Sequence, residues 1–380
     1  MKSGLLPFCA VLLAGGRGTR FWPRSRLCTP KHLLDIMGGD TMLRQTVERL
    51  HPTIELRNVW AVTNAEQAAG VRCELRGVPA AHILTEPVGR NTAAAIGLAA
   101  IHLAREYGDA LMAVLPSDSY IRDGSRYRRL VRAALALADT PEHLVVLGVP
   151  PTRPETGYGY IERGDISRRP NGVAAYEVLR FTEKPALFVA RRYCASTKYF
   201  WNAGMFFWRV STFLENLQRF LPATHAVLAT IATTIGTPRY TPTLRRIYPQ
   251  LENISVDYAV MEPATRRQPG ARGRRNSVVR APRVSVIPAE IGWSDIGSWA
   301  AVYELLASRQ GANVSAGSSF SLDATGNLFW SPHKFVAAIG VRDLVLVETG
   351  DAILLCSRHR SQDVGKVVKW LEQKKLSHLL

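Results

Sequence analysis

The sequence predicts an α/β fold: a mixed, mostly parallel sheet flanked by helices, followed by a small C-terminal β-rich module with a closing helix. Three observations predict it. Short β-branched or apolar runs alternate with longer stretches of helical periodicity, the rhythm of parallel strands joined by crossover helices. Apolar residues make up 47% of the 380-residue chain, enough to fill a sizeable core. After about Gln310 the texture changes to short, polar, glycine-rich strand patterns.

Taken in order, residues 9–13, 59–63, 111–115, 144–149 and 176–181 read as strands, with helical stretches between most of them. In such sheets ligands gather at the carboxyl ends of the strands. The unusual polar segments sit there: a glycine turn after Leu13, Pro116-Ser117-Asp118 after Leu115, and Glu183-Lys184-Pro185 after Phe181. Residues 265–283, rich in Arg, Gly and Pro and without a period, are expected to form a mobile surface loop. Polar strands over 313–330 lead to strands at 335–341 and 344–348. Ser361 then caps a final helix whose apolar positions are Val364, Val367, Val368 and Leu371. The expected division is 1–308 for the main domain and 309–380 for the small module.

Lys and Arg number 48 against 31 Asp and Glu, a formal net charge of +17, which favours anionic partners. Part of this excess is local, because Pro263 to Ala289 holds seven arginines and no acidic residue. No nucleic-acid motif or aromatic-basic interleaving accompanies the charge, so nucleic acid is not an expected partner. No apolar run approaches the roughly 20 residues needed to span a bilayer, and no membrane partner is expected. The five cysteines lack the spacing of a disulfide framework or a zinc site, which points to a reducing, cytoplasmic setting. The opening MKSGLLPFCAVLLAGG has the outline of a signal peptide, but its apolar run reads better as a buried first strand entering a turn.

In AVLLAGGRGTRFWPRSRLCTPKHLLDI, Gly15, Gly16 and Gly18 follow a strand directly, where missing side chains let backbone N–H groups approach phosphate oxygens. Arg20 and Lys31 add positive charge. The pattern is not a Walker loop, since no Gly-Lys-Ser/Thr follows at the right distance. It is not a dinucleotide loop either, because Phe21 stands where the third glycine would be. No histidine spacing suits a metal, and no serine elbow or Cys/His dyad suggests covalent catalysis.

This string resembles the signature LAGGxGTRLWPxSRxxxPKQ of sugar nucleotidyltransferases of the mannose-1-phosphate guanylyltransferase family. The resemblance implies that Leu13, Ala14, Gly15, Gly16, Gly18 and Thr19 wrap the nucleotide, while Arg20 and Lys31 neutralise its triphosphate. His32 departs from the family's glutamine. Glu86-Pro87-Val88-Gly89-Arg90-Asn91-Thr92 resembles the family's EPxGRNTA segment, which implies nucleotide contacts for Glu86, Arg90, Asn91 and Thr92. Asn91 or Thr92 also suits a helix N-cap. Leu115-Pro116-Ser117-Asp118 resembles LPxDH, with Ser119 in place of histidine, and Gly292-Trp293-Ser294-Asp295-Ile296-Gly297-Ser298-Trp299 resembles GWSDVGSW. Asp118 and Asp295 are thereby implied to hold the catalytic Mg2+, which needs only a few hard oxygens besides phosphate and water. Trp293 and Trp299 are expected to pack around this turn.

The sugar side follows in family order. Thr156 to Ile161 resembles TGYGYI, Phe181 to Pro185 resembles FxEKP, Trp201 to Phe206 resembles WNSGMF, and Ser255 to Glu262 resembles SIDYAVME. These imply that Gly159, Glu183 and Asn202 hold mannose hydroxyls, that Lys184 meets the sugar phosphate, and that Asp257 lies near the sugar pocket. Together they imply a Rossmann-like, glycosyltransferase-A-like sheet with a β-helix-like C-terminal module. They also imply transfer of GMP from GTP to mannose 1-phosphate by in-line attack of the sugar phosphate on the α-phosphorus. The competing expectations are another hexose-1-phosphate nucleotidyltransferase, such as a thymidylyltransferase acting on glucose 1-phosphate, and a non-catalytic sensor. The C-terminal module is the expected contact of a homodimer.

Overall fold

The computed structural model describes residues 6–266 and 282–380. Its main sheet is built from β1 (Phe8–Ala14), β2 (Val59–Asn64), β3 (Ile83–Glu86) and β4 (Leu111–Pro116). The short β5 (Tyr120–Ile121) leaves it, and β6 (His143–Val149), β7 (Tyr160–Arg168), β8 (Ala175–Thr182), β9 (Tyr199–Arg209) and β10 (Arg283–Pro288) complete it. The order is β3-β2-β1-β4-β9-β6-β10-β8-β7, with β7 also reaching β9. Only β8 and β9 run against the other strands, so the sheet is mixed and mostly parallel, as the sequence predicts.

Strands buried on both faces need apolar residues at successive positions, and β1 shows why its run is continuous. Cys9 and Val11 enter the core on one face, while Ala10, Leu12 and Ala14 enter the core on the other. Each valine or leucine so buried stabilises the fold by roughly 1.5–3 kcal/mol. The apolar run that mimics a leader is therefore an interior strand between β2 and β4. Helix Asn91–Tyr107 lies on the first face and helix Gly124–Ala138 on the second.

After β11 (Trp293–Ser294), which pairs with β5, the chain enters the small module. Its strands are β12 (Val314–Ala316), β13 (Ser319–Leu322), β14 (Leu328–Trp330), β15 (Val336–Ile339), β16 (Leu344–Glu348) and β17 (Ile353–Ser357). Parallel rungs β12-β14-β16 and β13-β15 make it a β-helix-like coil. Buried Asn327 ties the rungs: its amide donates to Asn313 Oδ1 at 3.0 Å and its carbonyl accepts from Leu344 N at 2.8 Å. The closing helix spans Val364–Gln373 and buries Val364, Val368 and Leu371. Ser361 does not cap it. Asp363 stands at that position, and Ser361 lies inside a preceding 3-10 segment, Arg358–Asp363, where it is buried.

The module is not detached from the main sheet. Its Leu328, Val345, Val347, Val364 and Val368 share one core with Phe21, Trp22, Leu34, Ile36, Ile296 and Trp299. Most of the arginine-rich stretch lies outside the described residues. Its ends are seen: Thr265 closes the short helix Glu262–Thr265, and Arg283 opens β10. Among the described residues, no helix is long and apolar enough to cross a membrane.

Candidate active site

The carboxyl ends of β1 and β4 are bound together, for Ser117 Oγ donates to Leu13 O at 2.7 Å. Beyond them opens a cleft of about 490 Å3. From the signature loop it takes Leu13, Gly18, Thr19, Arg20 and Lys31; from the other segments Thr92, Asp118 and Asp295; from the expected sugar side Gly159, Glu183, Asn202 and Asp257. Residues as far apart in sequence as Leu13 and Gly297 thus face one space.

The loop's shape depends on Gly18. Its φ of 62° is left-handed, and a Cβ there would stand 2.5 Å from Lys31 Cβ and 2.8 Å from Lys31 N. The chain can therefore fold back onto Lys31 only with glycine at this point. Lys31 is buried, and its ammonium donates to Asp118 Oδ2 at 3.0 Å and to the Asp295 backbone oxygen. Burial raises the Asp118 carboxyl, but the Lys31 ammonium outweighs it and holds the group below the usual carboxylate range. The carboxylate nevertheless keeps 40% of its side chain exposed toward the cleft. His32 is buried beside it, and burial pushes its imidazole down to about 4.

Asp295 is held from the other side, because Tyr158 Oη donates to its Oδ1. Burial, then the Asp295 charge, drives the Tyr158 phenol upward. Among the described residues no group of three or more His, Cys, Asp or Glu forms a metal cage. A pair of hard carboxylates on an open cleft fits a divalent cation that keeps water and phosphate as its other ligands.

At the expected sugar end, Asn202 Nδ2 donates to Asp257 Oδ1 at 2.7 Å and Asn202 N donates to Gly159 O at 2.8 Å. A Cβ on Gly159 would stand 2.3 Å from Glu183 Oε2, so this glycine gives the carboxylate its place. Glu183 Oε2 is buried without a hydrogen-bond partner among the described residues. Burial, followed by the Asp257 charge, raises the Glu183 carboxyl, and burial likewise raises Asp257. A buried acceptor left open beside a second acid is a place for hydroxyl donors.

Several expected residues stand outside the cleft. Glu86 is buried beneath Gly15, accepts from Tyr248 Oη at 2.6 Å, and is raised by burial. Arg90 donates to Pro249 O, and it rather than Asn91 or Thr92 occupies the cap position of helix Asn91–Tyr107. Asn91 is exposed with a φ of 64°, whereas its neighbour Thr92 does line the cleft, where its Oγ1 accepts from Val256 N at 2.8 Å. Ala14 is buried in the sheet, while Gly15 and Gly16 are exposed. Lys184, 59% exposed and 3.4 Å from Glu183 Oε1, does not line the cleft. Trp299 packs in the core, but Trp293 lines the cleft and meets Tyr158 edge-on at 5.6 Å. Tyr158 is the site residue that residue-type reasoning passed over, although it stands in the Thr156 to Ile161 segment.

Comparison with known proteins gives the geometry its relatives. Residues 9–310 match the family model of the nucleotidyl transferases, and residues 317–371 match that of the MannoseP isomerase/GMP-like beta-helix domain. A mannose-1-phosphate guanylyltransferase of Klebsiella pneumoniae is 37% identical over 376 residues, covering 98% of this chain and 75% of its own length. The mannose-1-phosphate guanylyltransferase ManC of Salmonella typhimurium is also 37% identical, covering 94% of this chain and 72% of its own. A crystal structure from Thermus thermophilus, described as a mannose-1-phosphate geranyltransferase, superposes with a TM-score of 0.83 at 33% identity, covering 97% of this chain and 100% of that one. With one family model spanning most of its length and mannose-1-phosphate guanylyltransferases at 37% identity matching nearly all of it, the chain belongs to the nucleotidyl transferases, in the mannose-1-phosphate guanylyltransferase family.

Proposed function

We propose that this chain transfers GMP from GTP to α-D-mannose 1-phosphate, giving GDP-mannose and pyrophosphate. The observation that carries the reading is that one cleft takes Gly18, Arg20 and Lys31 together with Asp118, Asp295, Glu183 and Asn202. A phosphate oxygen of the sugar phosphate attacks the α-phosphorus as the bond from that phosphorus to the bridging oxygen breaks, and pyrophosphate leaves. The nucleophile is an anion already, so no general base is required. The obstacle is the repulsion of two anionic substrates, which positioned cationic groups overcome.

In this reading Gly18, Thr19, Arg20 and Lys31 bind the triphosphate, and Gly159, Glu183, Asn202 and Asp257 orient the mannose hydroxyls. Lys184, which does not line the cleft but lies against Glu183, would meet the sugar phosphate by extending its exposed side chain. Glu86, Arg90, Asn91 and Thr92 support the nucleotide side, with Glu86 and Arg90 acting from beneath the cleft. Asp118 and Asp295 are the residues that would hold Mg2+, which when bound would offset the triphosphate charge. Lys31, gripping both acidic segments, keeps them in register.

Incubating the protein with Mg2+ and each nucleoside triphosphate paired with each hexose 1-phosphate tests the reading. Pyrophosphate release is expected with GTP and mannose 1-phosphate. Preferred release with a thymidine nucleotide and glucose 1-phosphate reassigns the substrates, and no release with any pair removes the activity.

A further inference from the structure

The arginines of the signature segment are held in two different ways. Arg17 pairs with Glu372 at 2.7 Å, Arg24 with Asp35, and Arg26 with Asp351 at 2.6 Å, so each has a carboxylate against it. Arg20, the one that lines the cleft, has neutral acceptors: its Nη1 donates to Gly297 O at 3.0 Å and to Gln362 Oε1 at 2.9 Å. An arginine cannot accept a hydrogen bond, so the side-chain carbonyl of Gln362 must face it. A neutral acceptor fixes the direction of a guanidinium and leaves its charge available.

The backbone that carries Gln362 is itself fixed. Ser361 and Val364 on either side are buried, and Val364 belongs to the core that includes Phe21, Trp22 and Trp299. Just beyond, helix Val364–Gln373 rides on the signature turn so closely that a Cβ on Gly365 would meet Thr19 Oγ1 at 3.4 Å. Gln362 itself is exposed, so packing does not explain its contact with Arg20.

We propose that Gln362, supplied by the C-terminal module, is a positioning residue for the nucleotide: it aims Arg20 at the cleft without discharging it. This rests on the nucleotide reading above. The module thereby takes part in triphosphate binding without touching the ligand, and Gln362 acts through Arg20 alone.

The test is calorimetric titration of GTP with Mg2+ into the wild type, Gln362→Ala, Arg20→Ala, the double variant and Gln362→Glu. Gln362→Ala is expected to bind GTP on the order of 10-fold more weakly with an unchanged unfolding temperature, and the double variant no more weakly than Arg20→Ala. Gln362→Glu keeps the acceptor but places an opposite charge on the guanidinium, so it too weakens GTP, an effect that a merely structural brace would not show. Unchanged affinity in Gln362→Ala, or a further loss when it is added to Arg20→Ala, overturns the proposal. Pyrophosphate release by the wild type is followed in parallel. Thermodynamic coupling without release removes the transfer reaction and keeps the positioning role, and release without coupling does the reverse.

Discussion

At Asp118 two effects oppose each other: burial favours the neutral acid, and an ammonium 3.0 Å away favours the anion and prevails. The carboxylate is therefore ionised before any ligand arrives, as its proposed cation-holding role requires. Asp118→Asn keeps the shape and removes the charge, and turnover is expected to fall on the order of 10²-fold or more; normal activity across a magnesium titration would take Asp118 out of the site. Gly159 supports a second prediction, because a methyl group there would displace Glu183 Oε2 from 2.3 Å. Gly159→Ala should raise KM for mannose 1-phosphate about 10-fold with KM for GTP unchanged, and steady-state kinetics with each substrate varied would show an equal rise in both if the collision merely disturbed the fold. Residues of this kind were legible because each stands in a distinctive segment. Tyr158 was not, since its role is a hydrogen bond to Asp295, 137 positions away in sequence.

At the scale of elements, the main-sheet strands that were legible are β1, β2, β4 and β6, apolar runs with both faces buried, and β8, whose buried Val178 and Phe181 are set among exposed residues; β15 and β16 of the module were legible too. β3 has four residues, too few to show a period, and β9 carries Asn202 and Gly204 within an aromatic run whose residues also read as a site motif. The expected capping by Ser361 failed because a 3-10 turn precedes the helix and buries that hydroxyl. The join of β3 to helix Asn91–Tyr107 carries a pH prediction through Glu86. Burial raises its folded-state pKa above the unfolded value, so its contribution to stability is full below the unfolded value and is lost as pH rises through the folded one. Glu86→Gln keeps an acceptor for Tyr248 and carries no charge. Its unfolding temperature should exceed that of the wild type at pH 8, with the gap closing as pH falls toward the ordinary carboxylate range of about 4; a gap independent of pH would show that the carboxyl does not titrate differently in the fold.

Across the whole molecule, the sequence divides into a main domain and an appendage, and that division hides a shared core. Leu328 of the module is fully buried in the cluster that holds Phe21 and Trp22 of the signature turn. Leu328→Ala should cost about 2–5 kcal/mol and lower a single calorimetric transition. Two transitions, with only the lesser one moved, would mark the module as an independent unit. The join could not be seen in the sequence because it depends on contacts such as that of Arg20 with Gln362, 342 positions apart, which no local pattern encodes.

The common cleft also has a stereochemical consequence. In the proposed reaction, two substrates bound in this one cleft would exchange the nucleotidyl group directly, with no side chain carrying it in between, and the α-phosphorus would be displaced once. GTP made chiral at that phosphorus by one sulfur should give GDP-mannose of inverted configuration, which phosphorus NMR can read. Retention would require two displacements and a covalent stop on the protein. The configuration of a single atom in the product thus records how the chain folds Gly18 and Glu183 onto one cavity.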